Sequence, residues 1–180
     1  KLEYLVKVYN EVTKVESIIS IKTYDTLNLE IEEIEGYEFV GIYANGVLLD
    51  KETLYHPSLG DMLTIKYTEK VYKITYKYAD EEKCVDIKYN SKIEEFIPAK
   101  QGYTFSGWKF NLEPFTNEYY TFNENIELVG EFIPNQYVIN YVNDGLINEV
   151  KVTYGTVINL PEVIKDGYEF LGWYLNDVKF

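Results

Sequence analysis

His56 and Cys84 are the one histidine and the one cysteine among 180 residues, and they are the first candidates for acid–base or nucleophilic chemistry. His56 stands beside Pro57 in an expected loop, with no cysteine, serine or histidine partner at a telling spacing. Cys84 follows a charged turn and precedes Val85, where packing in a strand is the default. A nucleophilic thiol needs a base to activate it, and none is indicated. Asp80-Glu81-Glu82 could offer oxygens to a hard cation, but calcium takes six to eight of them from a shaped loop, so a solvated turn is the simpler reading. A Lys–Asn isopeptide bond would require a lysine, an asparagine and an acid buried together; a mass equal to the sequence mass would exclude it. No glycine-rich phosphate loop, zinc spacing or hydrolase elbow is present. The expectation is a non-enzyme with no catalytic residue, no cofactor and no metal.

The plentiful side chains do a different kind of chemistry. Aromatic residues are 17% of the chain, and 19 residues are tyrosine. Large rings fill a thin core efficiently, since each buries roughly 150–250 Å². They concentrate in one motif, Gly102-Tyr103-Thr104-Phe105-Ser106-Gly107-Trp108. It returns as Gly167-Tyr168-Glu169-Phe170-Leu171-Gly172-Trp173. A worn copy, Gly36-Tyr37-Glu38-Phe39-Val40-Gly41-Ile42, ends in isoleucine. Tyr103 and Phe105 share a strand face, two residues apart. Trp108 is three from Phe105 and would face the other way unless a bulge at Gly107 brings it back. The plain reading of these rings is packing within and between units. The sharper one is a candidate binding platform for sugar or peptide, built from Trp108, Trp173, Tyr103 and Tyr168.

The elements that must position the motif repeat with it. The motif tyrosines 37, 103 and 168 are 66 and 65 residues apart, and Tyr24, Tyr89 and Tyr154 keep steps of 65. Two markers at one period mean tandem units. We divide the chain into a divergent unit 1–70, a unit 71–135 and a unit 136–180. A unit of this size buries only about 60% of its unfolded surface, so it is marginal alone.

Each unit opens on alternating strands. Tyr4, Val6 and Val8 form one face in the first unit, Tyr72, Ile74 and Tyr76 in the second, and Tyr137, Ile139 and Tyr141 in the third. Returning strands are expected at Ile18–Thr23, Val85–Tyr89 and Val150–Tyr154. Turns are expected over Asn10–Lys14 and Ala79–Lys83 and at Asp144-Gly145. Asn45-Gly46 is a type I′ hairpin signal. Asp25–Glu35 reads as a short helix or an irregular strand, and Ser91–Ile97 as one or two helical turns stopped by Pro98. Closing strands fall at Leu63, Ile65 and Tyr67, and at Ile126, Leu128 and Phe132. The third unit has no counterpart of 116–135, so a sheet there would expose an unpaired edge. We expect a natural chain that continues beyond 180. We also expect the third unit to be the least stable, or to borrow a strand from a neighbouring molecule.

The net charge is −13, with 17 lysines and no arginine. Seven lysines face 13 acidic residues in 1–70, seven face 11 in 71–135, and three face six in 136–180. An evenly acidic surface repels anions, and phosphate or base-edge recognition leans on basic patches, so nucleic acid is not an expected partner. A single cysteine rules out an intrachain disulfide. No run approaches the 18 apolar residues of a spanning helix, so membrane insertion is not expected in this segment. The sequence starts at Lys1 without a signal-peptide pattern and reads as an excerpt of a longer protein.

Each unit resembles the Listeria–Bacteroides repeat, also known as the internalin B-repeat, of bacterial surface proteins. That family has an opening Tyr-x-Val/Ile-x-Tyr/Phe strand, a Val-x-Tyr-Gly segment, a proline and Gly-Tyr-x-Phe-x-Gly-Trp. The third unit follows it nearly throughout, with Tyr137-Val138-Ile139-Asn140-Tyr141, Val152-Thr153-Tyr154-Gly155, Pro161 and 167–173. The second departs at Asn90, which stands where the family has glycine. The first departs at Asp25 and Ile42 and lacks the proline, so it rests on spacing. The resemblance implies small, mostly β, β-grasp-like (ubiquitin-like) units of about four strands with at most one short helix each. It also implies a non-catalytic module displayed outside a bacterial cell, on its surface or wall, as an extended stalk or adhesin. The expected partners are neighbouring repeats and a cell-wall or host glycan or host surface protein. Two alternatives are a specific glycan- or host-protein-binding module and the tether of an extracellular enzyme.

Overall fold

A computed structural model describes residues 2–23, 27–49 and 55–180. The Tyr24 marker and Asp25 lie outside the described residues. Among the described residues there is no helix, and the architecture is all β. The chain divides into two compact units. One comprises Lys1–Tyr76, Glu82–Glu95 and Thr116–Leu128, and the other Lys77–Glu81, Phe96–Phe115 and Val129–Phe180.

The first sheet contains β1 (Glu3–Asn10), β2 (Glu16–Lys22), β3 (Tyr37–Ala44), the short β4 (Val47–Leu48) and β5 (Met62–Glu69). Its order is β2-β1-β5-β3-β4, the β-grasp arrangement in which the last long strand enters the middle. β5 runs parallel to β1 and antiparallel to β3. The second sheet contains β6 (Val71–Tyr78), β7 (Glu81–Lys88), β8 (Tyr103–Phe110), the short β9 (Glu113–Pro114) and β10 (Ile126–Pro134). Its order, β7-β6-β10-β8-β9, is the same. Each full sheet therefore has four long strands and one short one.

Alternation decides which residues form the core. Val6 and Val8 of β1 and Leu63 and Ile65 of β5 are buried together with Ile21 and Tyr55. Ile74, Tyr76, Ile126, Leu128 and Tyr120 are the buried apolar residues of the second sheet's strands and of 116–128. A sheet must cover its apolar face, and a helix often does so. Here irregular chain does it instead, with Leu27, Leu29 and Ile31 packed on the first core.

The helical turns expected over Ser91–Ile97 are not formed. Their backbone groups are committed to another segment. Asn90 N–H donates to the Tyr120 carbonyl (2.7 Å), Tyr120 N–H to Ser91 (2.9 Å) and Ile93 N–H to Glu118 (2.8 Å). A helix would need the Ser91 carbonyl that Tyr120 holds, and Pro98 limits its length. The turn expected over Ala79–Lys83 is also shorter than its charge run suggests. Strands reach Tyr78 and resume at Glu81. That leaves Ala79 and Asp80 at φ of 46° and 68°. The two signalled hairpins form as read, with Asn45 at 48° and Gly46 at 86°, and Asp144 at 49° and Gly145 at 76°. Both positive angles are what a type I′ turn requires.

β11 (Gln136–Asn143) and β12 (Leu146–Thr153) form a hairpin, and the two-residue strands β13 (Tyr174–Leu175) and β14 (Val178–Lys179) form another. Residues 168–173, which correspond to β8, carry no strand pairing, and no residue of 136–180 is buried.

One polar cluster fixes the loop before β5. Asp61 accepts from the Tyr55 hydroxyl at 2.6 Å, from the Ser58 N–H at 2.8 Å and from the Asn45 amide at 2.9 Å. The Tyr55 bond is the main reason the Asp61 carboxyl sits below its usual range, with the other two bonds adding to it. A carboxylate depressed in the folded state stabilises above its unfolded pKa, about 3.9, and that contribution is lost as pH falls through the lower folded value. Asp61→Asn is therefore expected to weaken the first sheet at pH 7 and to flatten its loss of stability below about pH 4. Urea unfolding at a series of pH values checks this, and parallel acid profiles for the two proteins would refute it.

Candidate functional site: two glycine–tyrosine joints

The motif glycines adopt a left-handed conformation that favours glycine. Gly36, Gly102 and Gly167 have φ of 76°, 78° and 76°. In this left-handed region a Cβ costs about 1–2 kcal/mol. Two of the three also carry a ring where a Cβ would be. A Cβ on Gly36 would lie 2.1 Å from the Tyr89 ring, and one on Gly102 would lie 2.4 Å from the Tyr154 ring. Each tyrosine thus lies directly on a glycine that precedes it by about fifty residues.

The backbone ties the same places together. Lys70 N–H donates to the Gly36 carbonyl (2.9 Å), and the Lys70 carbonyl accepts from Tyr89 N–H (2.9 Å). Asn135 N–H donates to Gly102 (2.8 Å), and its carbonyl accepts from Tyr154 N–H (2.8 Å). One residue after a closing strand therefore bridges a motif glycine and the next marker tyrosine. The motif tyrosines complete the joint. Tyr37 meets Tyr89 edge-on at 5.6 Å, and Tyr103 meets Tyr154 edge-on at 5.5 Å. Edge-to-face pairs of this kind contribute about 0.5–1.5 kcal/mol beyond burial. Burial first, and then the charge of Glu35, pushes the Tyr89 phenol above its usual range.

Gly167 and Tyr168 repeat the pattern, with no partner ring among the described residues. A Cβ on Gly167 would meet nothing within 4 Å, and Tyr168 is 74% exposed. Lys165 lies 4.8 Å over the Tyr168 ring, as Lys100 lies 4.3 Å over Tyr103.

The tryptophans turn inward. The register of β8 with β10 skips Ser106, pairing Phe105 with Phe132 and Gly107 with Glu131, while Gly107 has φ of 142°. This is the bulge that the Phe105–Trp108 spacing required, and it brings the two rings to 5.1 Å. The Trp108 indole N–H donates to the Phe96 carbonyl at 2.8 Å, and the Trp173 N–H donates to Pro161 at 2.9 Å. Trp108 stacks on Phe96, and Trp173 meets Tyr141 edge-on at 5.0 Å. Both indoles are half-buried, at corresponding positions. Of the four platform candidates, Trp108 and Trp173 pin the preceding loop, Tyr103 is engaged in a joint, and Tyr168 is open.

The Cys84 thiol is exposed, 3.7 Å from the Thr75 hydroxyl and 3.6 Å from Glu82. His56 is exposed as well. No group of three or more histidine, cysteine or acidic residues suited to a metal occurs among the described residues. Asn10 is the one buried polar residue among them, and its Oδ1 caps the following turn through Val12 and Thr13. A groove of about 1100 Å³ beside the first joint is lined by Glu32, Glu33, Glu35 and Glu38 together with Tyr67 and Tyr72. Such a rim disfavours an anionic ligand.

Both joints are built from motif parts that recur at one period, and the Listeria-Bacteroides repeat domain matches residues 72–131 and 137–179. The chain belongs to this repeat family. A protein of Evansella cellulosilytica named as a membrane protein is 28% identical over 157 residues, covering 81% of this chain and 24% of that protein. Internalin H of Listeria monocytogenes is 32% identical over 111 residues, covering 58% of this chain and 20% of that protein. The chain thus spans about a quarter or less of the length of these relatives.

The marker tyrosines were legible as a period but not as joint residues. The signal was the paired step: Gly36 to Tyr89 and Gly102 to Tyr154 are separated almost equally. Tyr120, wholly buried and stacked on Tyr72 at 5.7 Å, gave no such signal because its segment lacks alternation.

Proposed function

We propose that this chain is a non-catalytic repeat region of a bacterial cell-surface protein, in which repeats 1–70, 71–135 and 136–180 act as an extended stalk or adhesion module outside the cell. The observation that carries the reading is the duplicated joint. A stalk must hold each module against the next, and the same ring, glycine and bridging backbone recur at Gly36 and Gly102. Joints this closely packed favour limited swing. An internalin and a protein named as a membrane protein among the relatives support display at the cell surface. Repetition would also turn weak contacts to a cell-wall or host surface into useful avidity where geometry lets several repeats engage.

A second reading is a dedicated binding site that includes Tyr168, the most exposed of the three motif tyrosines. Tryptophan fluorescence separates the two readings, because Trp108 and Trp173 are the only indoles and each reports one motif. The stalk reading expects modest quenching by a small neutral quencher and no shift with any member of a panel of glycans, cell-wall fragments and host extracellular proteins. A spectral shift with one ligand, abolished by Tyr168→Ala, would transfer the function to a binding platform.

A further inference from the structure

β2 is the outer strand of the first sheet, as β7 is of the second, so this edge belongs to the topology of the repeat. Edge strands commonly carry charge along their length, which keeps them from pairing with other chains. β7 does so, with Glu81, Glu82, Lys83, Asp86 and Lys88 among its residues. β2 does not. Its charges, Glu16 and Lys22, stand only at its two ends, with Ser17-Ile18-Ile19-Ser20-Ile21 between them. Ile18 is 65% exposed. The ladder with β1 fixes which backbone groups are open. Asn10 N–H donates to Val15 at one end of it, and Thr23 N–H donates to Leu2 at the other. Hydrogen-bonded pairs alternate along an antiparallel ladder. Residues 17, 19 and 21 therefore bond to β1, and residues 16, 18, 20 and 22 turn their N–H and C=O groups outward. A groove of about 360 Å³ runs along this edge, where Ile19, Ile21, Leu27 and Leu29 bring the apolar face of the sheet to its margin.

We infer that β2 is a docking edge whose occupant is β2 of a second copy of this chain, antiparallel and centred on Ile19. The sequence of the strand is complementary to itself in that register. Glu16 of each copy faces Lys22 of the other, and Ile18 faces Ser20. Moving the centre by one residue either way separates both charged pairs and shortens the ladder. A twofold axis normal to the sheet keeps each face continuous, so Ile19 meets Ile19 on the apolar side. The outward N–H and C=O groups of 16, 18, 20 and 22 then find partners. Strand addition draws affinity from such main-chain bonds and specificity from alternate side chains. Because each copy occupies the other's β2 edge, the contact is isologous and closes as a dimer.

The test is sedimentation velocity of the 180-residue chain from about 10 μM to about 1 mM, a range in which even a weak dimer registers. It is run at about 0.15 M salt, where repulsion between two acidic chains is screened beyond about 8 Å. A monomer–dimer equilibrium is expected. The amides of Ile18 and Ser20 should exchange more slowly as concentration rises, and those of β7 should not change. Glu16→Lys and Lys22→Glu, each alone, oppose like charges twice per dimer. Each is expected to weaken self-association at least about tenfold. Mixing the two variants in equal amounts restores both opposite pairs and is expected to recover the dimer, which a folding defect would not allow. A monomer up to about 1 mM, protection that rises outside 16–22 instead, or a mixture that associates no better than its parts would overturn the inference.

Discussion

Gly102→Ala is expected to open the second joint. The new methyl group would sit 2.4 Å from the Tyr154 ring at a backbone φ of 78°. Left-handed strain of about 1–2 kcal/mol adds to an overpacking cost of about 1–3 kcal/mol, so the expected loss is about 2–5 kcal/mol. Gly167→Ala is the internal control. It has the same angle, 76°, and nothing within 4 Å, so only the backbone strain applies. The difference between the two variants isolates the ring contact. Amide exchange at Asn135 and Tyr154 reads it directly, because those two N–H groups make the joint's hydrogen bonds. Adding Tyr154→Ala to Gly102→Ala is expected to recover part of the loss, since neighbours in one contact do not add. Equal losses for the two glycine variants would remove the ring from the account and leave a turn glycine with no role as a joint.

The fold was largely legible because its signals are local. Alternation marks the long strands, and Asn45-Gly46 and Asp144-Gly145 mark hairpins whose angles only such pairs accept readily. The three-residue step from Phe105 to Trp108 demanded a bulge, and Gly107 supplied the residue to make it. What stayed hidden depends on distant partners. Nothing near Ser91–Ile97 announces that Glu118 and Tyr120 take its hydrogen bonds. Lys70 and Asn135 look like linker residues, yet each bridges two hydrogen bonds in a joint. The platform residues divide in the same way. Local pattern assigned Trp108 and Trp173 to the motif, but only the fold shows their indoles donating to Phe96 and Pro161.

Leu128→Ala is expected to be the most damaging substitution in the second sheet. Leu128 is wholly buried on the middle strand of a small module. Truncating such a leucine costs about 2–5 kcal/mol. At about 0.05–0.15 kcal/mol per residue, a module of this size has roughly 3–10 kcal/mol in total, so one substitution removes much of it. Leu63→Ala makes the same cut in the first sheet. Hydrogen exchange is expected to show each variant losing protection in its own sheet: β6, β8 and β10 for Leu128→Ala, and β1, β3 and β5 for Leu63→Ala. The consequence should also run forward along the chain. β10 ends at Pro134 and leads into Asn135, which holds Gly102 and Tyr154, and β5 leads into Lys70, which holds Gly36 and Tyr89. Losing a central strand should therefore free the joint that follows it. Loss of protection spread evenly through both sheets in either variant would mean that they unfold as one cooperative body. Loss confined to one sheet plus its following joint would mean that each repeat holds its successor, as a stalk built one module at a time requires.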